Sequence, residues 1–318
     1  MSEIHVNIYA DEIKERTLKD NLIGHEKWIY FGVLICPVRQ EQALINRLLN
    51  RRMTSKCACK DWGEAAATCA HHQNNNKEVH YVSLEDAYIR HVSERWLDFL
   101  LGEDREKRLT YFHILGINVL NLDYKLFGDD GSKRAGIIYN RFFRTAIKYP
   151  LKTFFDSHDK VIVDNVFHDS DEELRRDEYF PWHTPFRVNK DEDAKVRFQT
   201  DGIQFLDSKH SESNDPRSHL IQYIDLILGL TYNCLHHEGK SPDRTAITKK
   251  SHPLVSRLVK APKNKNSSYR YYKRQSISFF PKTGIAGADF SAENAFYTER
   301  DLLIERHEQG TLSLDFGE

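Results

Sequence analysis

Residues Trp28 to Cys36 (Trp-Ile-Tyr-Phe-Gly-Val-Leu-Ile-Cys) contain no charged side chain and stop at Pro37. At under half of the roughly 20 residues a spanning helix needs, the run is too short to cross a membrane. Its β-branched and aromatic content, closed by a proline, reads as a strand. A strand apolar on both faces has to be covered on both faces, which places it inside a sheet with helices above and below. The flanking chain supplies partners for it. Ile4 to Ala10 alternates as a strand and delivers Asp11 and Glu12 at its end, and Gln40 to Arg51 repeats apolar residues at helical spacing.

Further along, strands are predicted over Thr110–Val119, Lys160–Val166 and Ile203–Leu206, and helices over 84–101, 137–155 and 216–236. Strands alternating with helices predict an α/β fold, a mixed sheet flanked by helices. Two stretches stand outside this pattern. Residues 52–77 lose all periodicity and are rich in Cys, His, Ala and Asn, as expected of an insertion in a core spanning 1–237. Residues 238–318 are expected to form a basic, aromatic region packed on or extending that core. With 40% hydrophobic and 12% aromatic residues in 318, a disordered or fibrous chain is excluded.

The net charge of −1 conceals an asymmetry. From Arg244 to Ala288 there are eleven Lys and Arg and no Asp or Glu, which leaves the remainder at about −12. Aromatics interleave with cations around Arg270, Tyr271, Lys273 and Arg274, with Lys263 and Lys265 just before them. That pairing of stacking surface with phosphate-neutralising charge points to nucleic acid, DNA or RNA, as partner. The plainer alternative is a solvated basic linker.

Acids at the ends of apolar strands carry the chemical argument. Asp11 ends the first strand, Asp164 follows Val161-Ile162-Val163, and Asp225 interrupts the apolar helix around Leu220–Leu228. Each buried carboxylate needs a cation, an N–H donor or a metal. Singly, each has a structural use: a turn cap, a loop start, a core hydrogen bond. Converging, they form an oxygen-ligand site suited to Mg²⁺ or Mn²⁺. A second metal reading concerns Cys57, Cys59, Cys69 and His71 or His72, a thiol and imidazole set fit for structural Zn²⁺, with free thiols in a loop as the alternative.

Tyr9-Ala10-Asp11-Glu12, Glu78-Val79-His80, Val163-Asp164-Asn165, and Asp207-Ser208-Lys209 ahead of Leu220-Ile221-Gln222-Tyr223-Ile224-Asp225 together resemble the prokaryotic family catalogued as domain of unknown function 3800. That family is similar to the ribonuclease H-like superfamily, whose mixed sheet gathers acids from the first strand, a later strand and a following helix around divalent metal. The resemblance implies a ribonuclease H-like core over about residues 4–237. It assigns Asp11, Asp164, Asp225 and Glu78 as catalytic metal ligands, His80 as proton donor or phosphate contact, and Asp207 in reserve. Gln222 would orient a ligand or phosphate, and Lys209 would meet a backbone phosphate. The family's Asp-Glu-Ser-Gly departs here to Asp11-Glu12-Ile13-Lys14.

No P-loop, His-Glu-x-x-His, Gly-x-Ser-x-Gly or Gly-x-Gly-x-x-Gly occurs. The expected function is a divalent-metal-dependent nuclease. The alternatives are a non-catalytic module that binds nucleic acid or a partner, and a phosphohydrolase of small nucleotides. The amino terminus, Met-Ser-Glu-Ile-His-Val, has no signal-peptide character, and five cysteines fit a reducing compartment, so a cytoplasmic location without membrane contact is expected.

Overall fold

Tyr9 and its neighbours set the layering. In strand β1 (Glu3–Ile13), Val6, Ile8 and Ala10 point into one core while Tyr9 points into another on the opposite face, the two-residue period of a strand. A computed structural model describes residues 2–13, 28–53, 76–128, 131–169, 184–190, 195–209, 215–236, 241–260 and 274–280. Strand β2 (Trp28–Pro37) is buried along its whole length, as its composition predicts, and pairs antiparallel with β1 on one side and with β3 (Tyr111–Asn118) on the other.

Strand β4 (Lys160–Asp169) runs parallel to β1. Two short strands, β5 (Val196–Phe198) and β6 (Gln204–Leu206), lie parallel to successive halves of β4. Strand β7 (Gln275–Phe280) adds parallel to β3, giving a seven-stranded mixed sheet ordered β5-β4-β1-β2-β3-β7 with β6 also on β4. Only β2 runs against the others, so the carboxyl ends of β1, β4 and β6 open on one edge. In sheets of this kind that edge is where ligands bind.

Helices cover both faces. Beside Tyr9 lie α1 (Val38–Asn50), α2 (Ala87–Asp98), α5 (Ser218–His236) and α6 (Pro242–Lys260), while α3 (Gly131–Phe154) and α4 (Thr184–Lys190) cover the face of Val6 and Ile8. The Asp86 side chain caps α2 by accepting from the Tyr88 and Ile89 amides. Helix α5 is buried from Ser218 to Leu235 and lies close on the sheet: a β-carbon added to Gly32 of β2 would stand 3.1 Å from Ile224. None of the described helices is long and apolar enough to cross a membrane.

The basic segment divides among several structural roles. Its first part is α6, where Arg244 pairs with Glu85 at 3.6 Å and Lys250 with Asp98 at 2.6 Å. Its last described part is β7, opened by Arg274. The expectation that Arg274 faces nucleic acid is corrected: it is 7% exposed and paired with Asp104 at 3.2 Å. Burial pushes the Asp104 carboxyl up, opposed by Arg274 and by the Thr110 and Leu109 amides. Lys263, Lys265, Arg270, Tyr271 and Lys273, and the zinc candidates Cys57, Cys59, Cys69 and His71, lie outside the described residues.

Candidate functional site

Two residues past Tyr9, Asp11 shares the face covered by α5, while Glu12 points to the other. On β4 the same phase is reached through an irregularity. The register steps from Val6↔Val163 to Asn7↔Asn165, leaving Asp164 as the extra residue of a β-bulge. Beyond it the strand continues to Asp169. Phe167 stacks on Tyr9 with centroids 5.1 Å apart, and Ala10↔His168 is the last pair, so Asp169 follows on Asp11's face.

Asp164 therefore does not end β4 and does not join Asp11. It lies five residues back from Asp169, about 16 Å along the strand at ~3.3 Å per residue, and hydrogen-bonds the His5 ring at 2.8 Å. That contact raises the His5 pKa, against desolvation, with Glu3 adding to it. The assignment of Asp164 to the carboxylate site is corrected to Asp169. The signal was present: apolar residues resume beyond Asn165 at Val166 and Phe167. The charged run after Asp169 masked it.

Helix α5 brings the remaining groups through two side chains one turn apart. Asp225 Oδ2 accepts from the Tyr81 amide at 2.8 Å, and Gln222 Oε1 accepts from the Val79 amide at 3.1 Å. The chain from Glu78 to Tyr81 is thereby held along the helix at alternate residues. His80 Nε2 stands 3.7 Å from Asp225 Oδ1. Because the Val82 amide donates to His80 Nδ1 at 3.1 Å, the neutral ring carries its proton on Nε2, facing that carboxylate. Glu78 Oε1 accepts from the Ser208 hydroxyl at 2.8 Å. Asp207 follows β6 on the same edge, its Oδ1 accepting from the Lys209 amide at 3.1 Å, while the Lys209 side chain is exposed.

The charges at this edge act on one another. Burial raises the Asp11 carboxyl well above the ordinary range, and the charges of Asp225, Asp169 and Glu12 push it further, against His168. Burial likewise pushes Asp225 up to about 7. The Tyr81 amide and a hydrogen bond with Asp11 oppose the rise, while the charges of Glu78 and Asp169 add to it. Four acids from β1, β4, α5 and the segment before α2 thus share one electrostatic environment. Among the described residues, no three His, Cys, Asp or Glu side chains stand close enough to hold a metal ion as they are placed. The donor set is nonetheless all hard oxygen, the chemistry Mg²⁺ and Mn²⁺ prefer.

Directly behind, on the other face, Glu12 and His168 form a buried ion pair at 2.6 Å. Burial alone would lower His168, but the charge and hydrogen bond of Glu12, with Asp11 beyond, raise it to about 9. Among the described residues, the second oxygen of Glu12, Oε1, is buried without a hydrogen-bond partner. Neither this pair nor Asp169 was singled out from the sequence. Comparison of the chain with protein-family models, with curated proteins and with solved structures finds no match.

Proposed function

We propose that this chain is a divalent-metal-dependent nuclease on a ribonuclease H-like core, with Asp11, Asp169, Asp225 and Glu78 as the carboxylates that hold Mg²⁺ or Mn²⁺. The observation that carries this reading is the approach of acids from the first strand, a later parallel strand and a following helix at one edge of a mixed sheet, where neighbouring charges add to burial in raising Asp11 and Asp225. Carboxyls crowded in this way are held together by protons or by cations.

Divalent cations bound there would supply an activated water and neutralise charge at the leaving oxygen of a phosphodiester. The protein's own groups do the rest. His80, with its Nε2 proton directed at the site, is placed to donate to a leaving oxygen. Lys209, exposed at the rim, is placed to meet a backbone phosphate. Behind Asp11, the His168 imidazolium favours its ionised form, while its partner Glu12 opposes it.

The test is cleavage of labelled single- and double-stranded DNA and RNA with Mn²⁺, by the wild type and by Asp11→Asn. Cleavage that needs both the metal and Asp11 supports the reading. Binding of nucleic acid without cleavage, indifferent to metal and to Asp11→Asn, would instead support the non-catalytic module.

A further inference from the structure

Arg52 lies two residues beyond α1 at 1% exposure, its guanidinium 5.2 Å from the centroid of the Trp96 ring. A buried guanidinium is costly unless its protons are well received. Arg52 Nη1 donates to the Lys77 carbonyl at 2.9 Å, and Nη2 donates to Gln222 Oε1. That same Oε1 accepts from the Val79 amide, and Gln222 Nε2 donates to the Ser208 carbonyl at 2.7 Å. The Ser208 hydroxyl then donates to Glu78.

The chemistry of the amide makes this chain directional. With Arg52 and the Val79 N–H both donating to one atom, that atom must be the oxygen, and the NH₂ must face Ser208. The guanidinium thus holds the backbone before Glu78 at Lys77 and, with the Val79 N–H, orients one glutamine, which ties the backbone after Glu78 to the loop after β6. Asp225, one turn along the same helix, accepts from the Tyr81 amide two residues on in the same segment.

We propose that Arg52 is a positioning residue of the carboxylate site: by orienting Gln222 it sets Val79 and Ser208, and through them aims Glu78 toward Asp225. The inference rests on the reading of these carboxylates as a divalent-cation site. It goes beyond a packing role for Arg52, because a packing residue changes stability without changing ion affinity once the chain is folded.

The test is Mn²⁺ titration of the full chain, at a temperature where each protein is folded, for the wild type, Arg52→Lys, Ser208→Ala and the double variant. A lysine keeps the charge but cannot reach both acceptors in the fork geometry. Each single change is expected to weaken Mn²⁺ binding by about tenfold, the lower range for groups that orient metal ligands. The double variant should be little weaker than the worse single, since both cut one chain. Unchanged affinity in Arg52→Lys, or additive losses in the double variant, overturns the proposal. If Arg52→Lys does not fold, Ser208→Ala alone decides, and unchanged affinity there overturns it too. If the wild type binds no Mn²⁺, the cation reading fails, and amide exchange judges the positioning separately. Arg52→Lys should then speed exchange at Val79 more than at Tyr81, and equal effects overturn it.

Discussion

Asp225 and His168 both bind their protons more tightly in the native chain, in pH windows that separate. An Asp225 carboxyl raised from 3.8 to about 7 binds its proton more tightly in the native chain than in the unfolded one. Between about pH 4 and 7 the native state therefore holds more protons, and stability falls as pH rises, by at most about 1.4 kcal/mol per unit for one proton. In EDTA, thermal unfolding should show this fall, Asp225→Asn should flatten it, and Mn²⁺ should reverse it by replacing protons. His168, raised from 6.5 to about 9, contributes stability that is complete below 6.5 and lost as pH climbs through 9. His168→Gln should remove that alkaline loss. Asp11 and Asp225 were legible in the sequence because Asp11 closes an alternating apolar strand and Asp225 stands alone in an apolar helix. Asp169 was not, because a bulge at Asp164 imitates a strand end and the true end runs into a charged stretch.

At the scale of elements, two close approaches hold the site segment and the last strand. A β-carbon on Gly229 of α5 would collide with the Tyr81 ring, whose amide is bonded to Asp225. Gly229→Ala should cost about 1–3 kcal/mol in urea unfolding and weaken Mn²⁺ binding as well, because the segment carrying Glu78 and His80 must move. Strand β7 is entered through Arg274, whose partner Asp104 is fully buried. Arg274→Met leaves that carboxylate without its cation and should cost about 3–5 kcal/mol, read as a lower urea midpoint. Strand β2 and helix α5 were plain in the sequence since their apolar runs admit one environment. Helix α6 and β7 were hidden, because a stretch free of acids reads as surface while its apolar residues, Leu254, Leu258, Ile277 and Phe279, are buried. Strand β5, three residues long, is too short to leave a period.

For the whole molecule, the arrangement follows from one reversed strand in an otherwise parallel sheet. With β1, β4 and β6 ending on one edge and α5 laid across that face, acids far apart in sequence meet without any one loop carrying the site. The layered α/β plan was readable from the spacing of apolar runs. The meeting point was not, since it depends on register and on the side-chain phase after the bulge. The most direct test of the account is an Mn²⁺ titration by calorimetry of the wild type, Asp169→Asn and Asp164→Asn. The account predicts that the wild type and Asp164→Asn bind alike, because Asp164 is engaged with His5 away from the site, and that Asp169→Asn binds at least tenfold more weakly. Binding that survives in Asp169→Asn, or that disappears in Asp164→Asn, contradicts it.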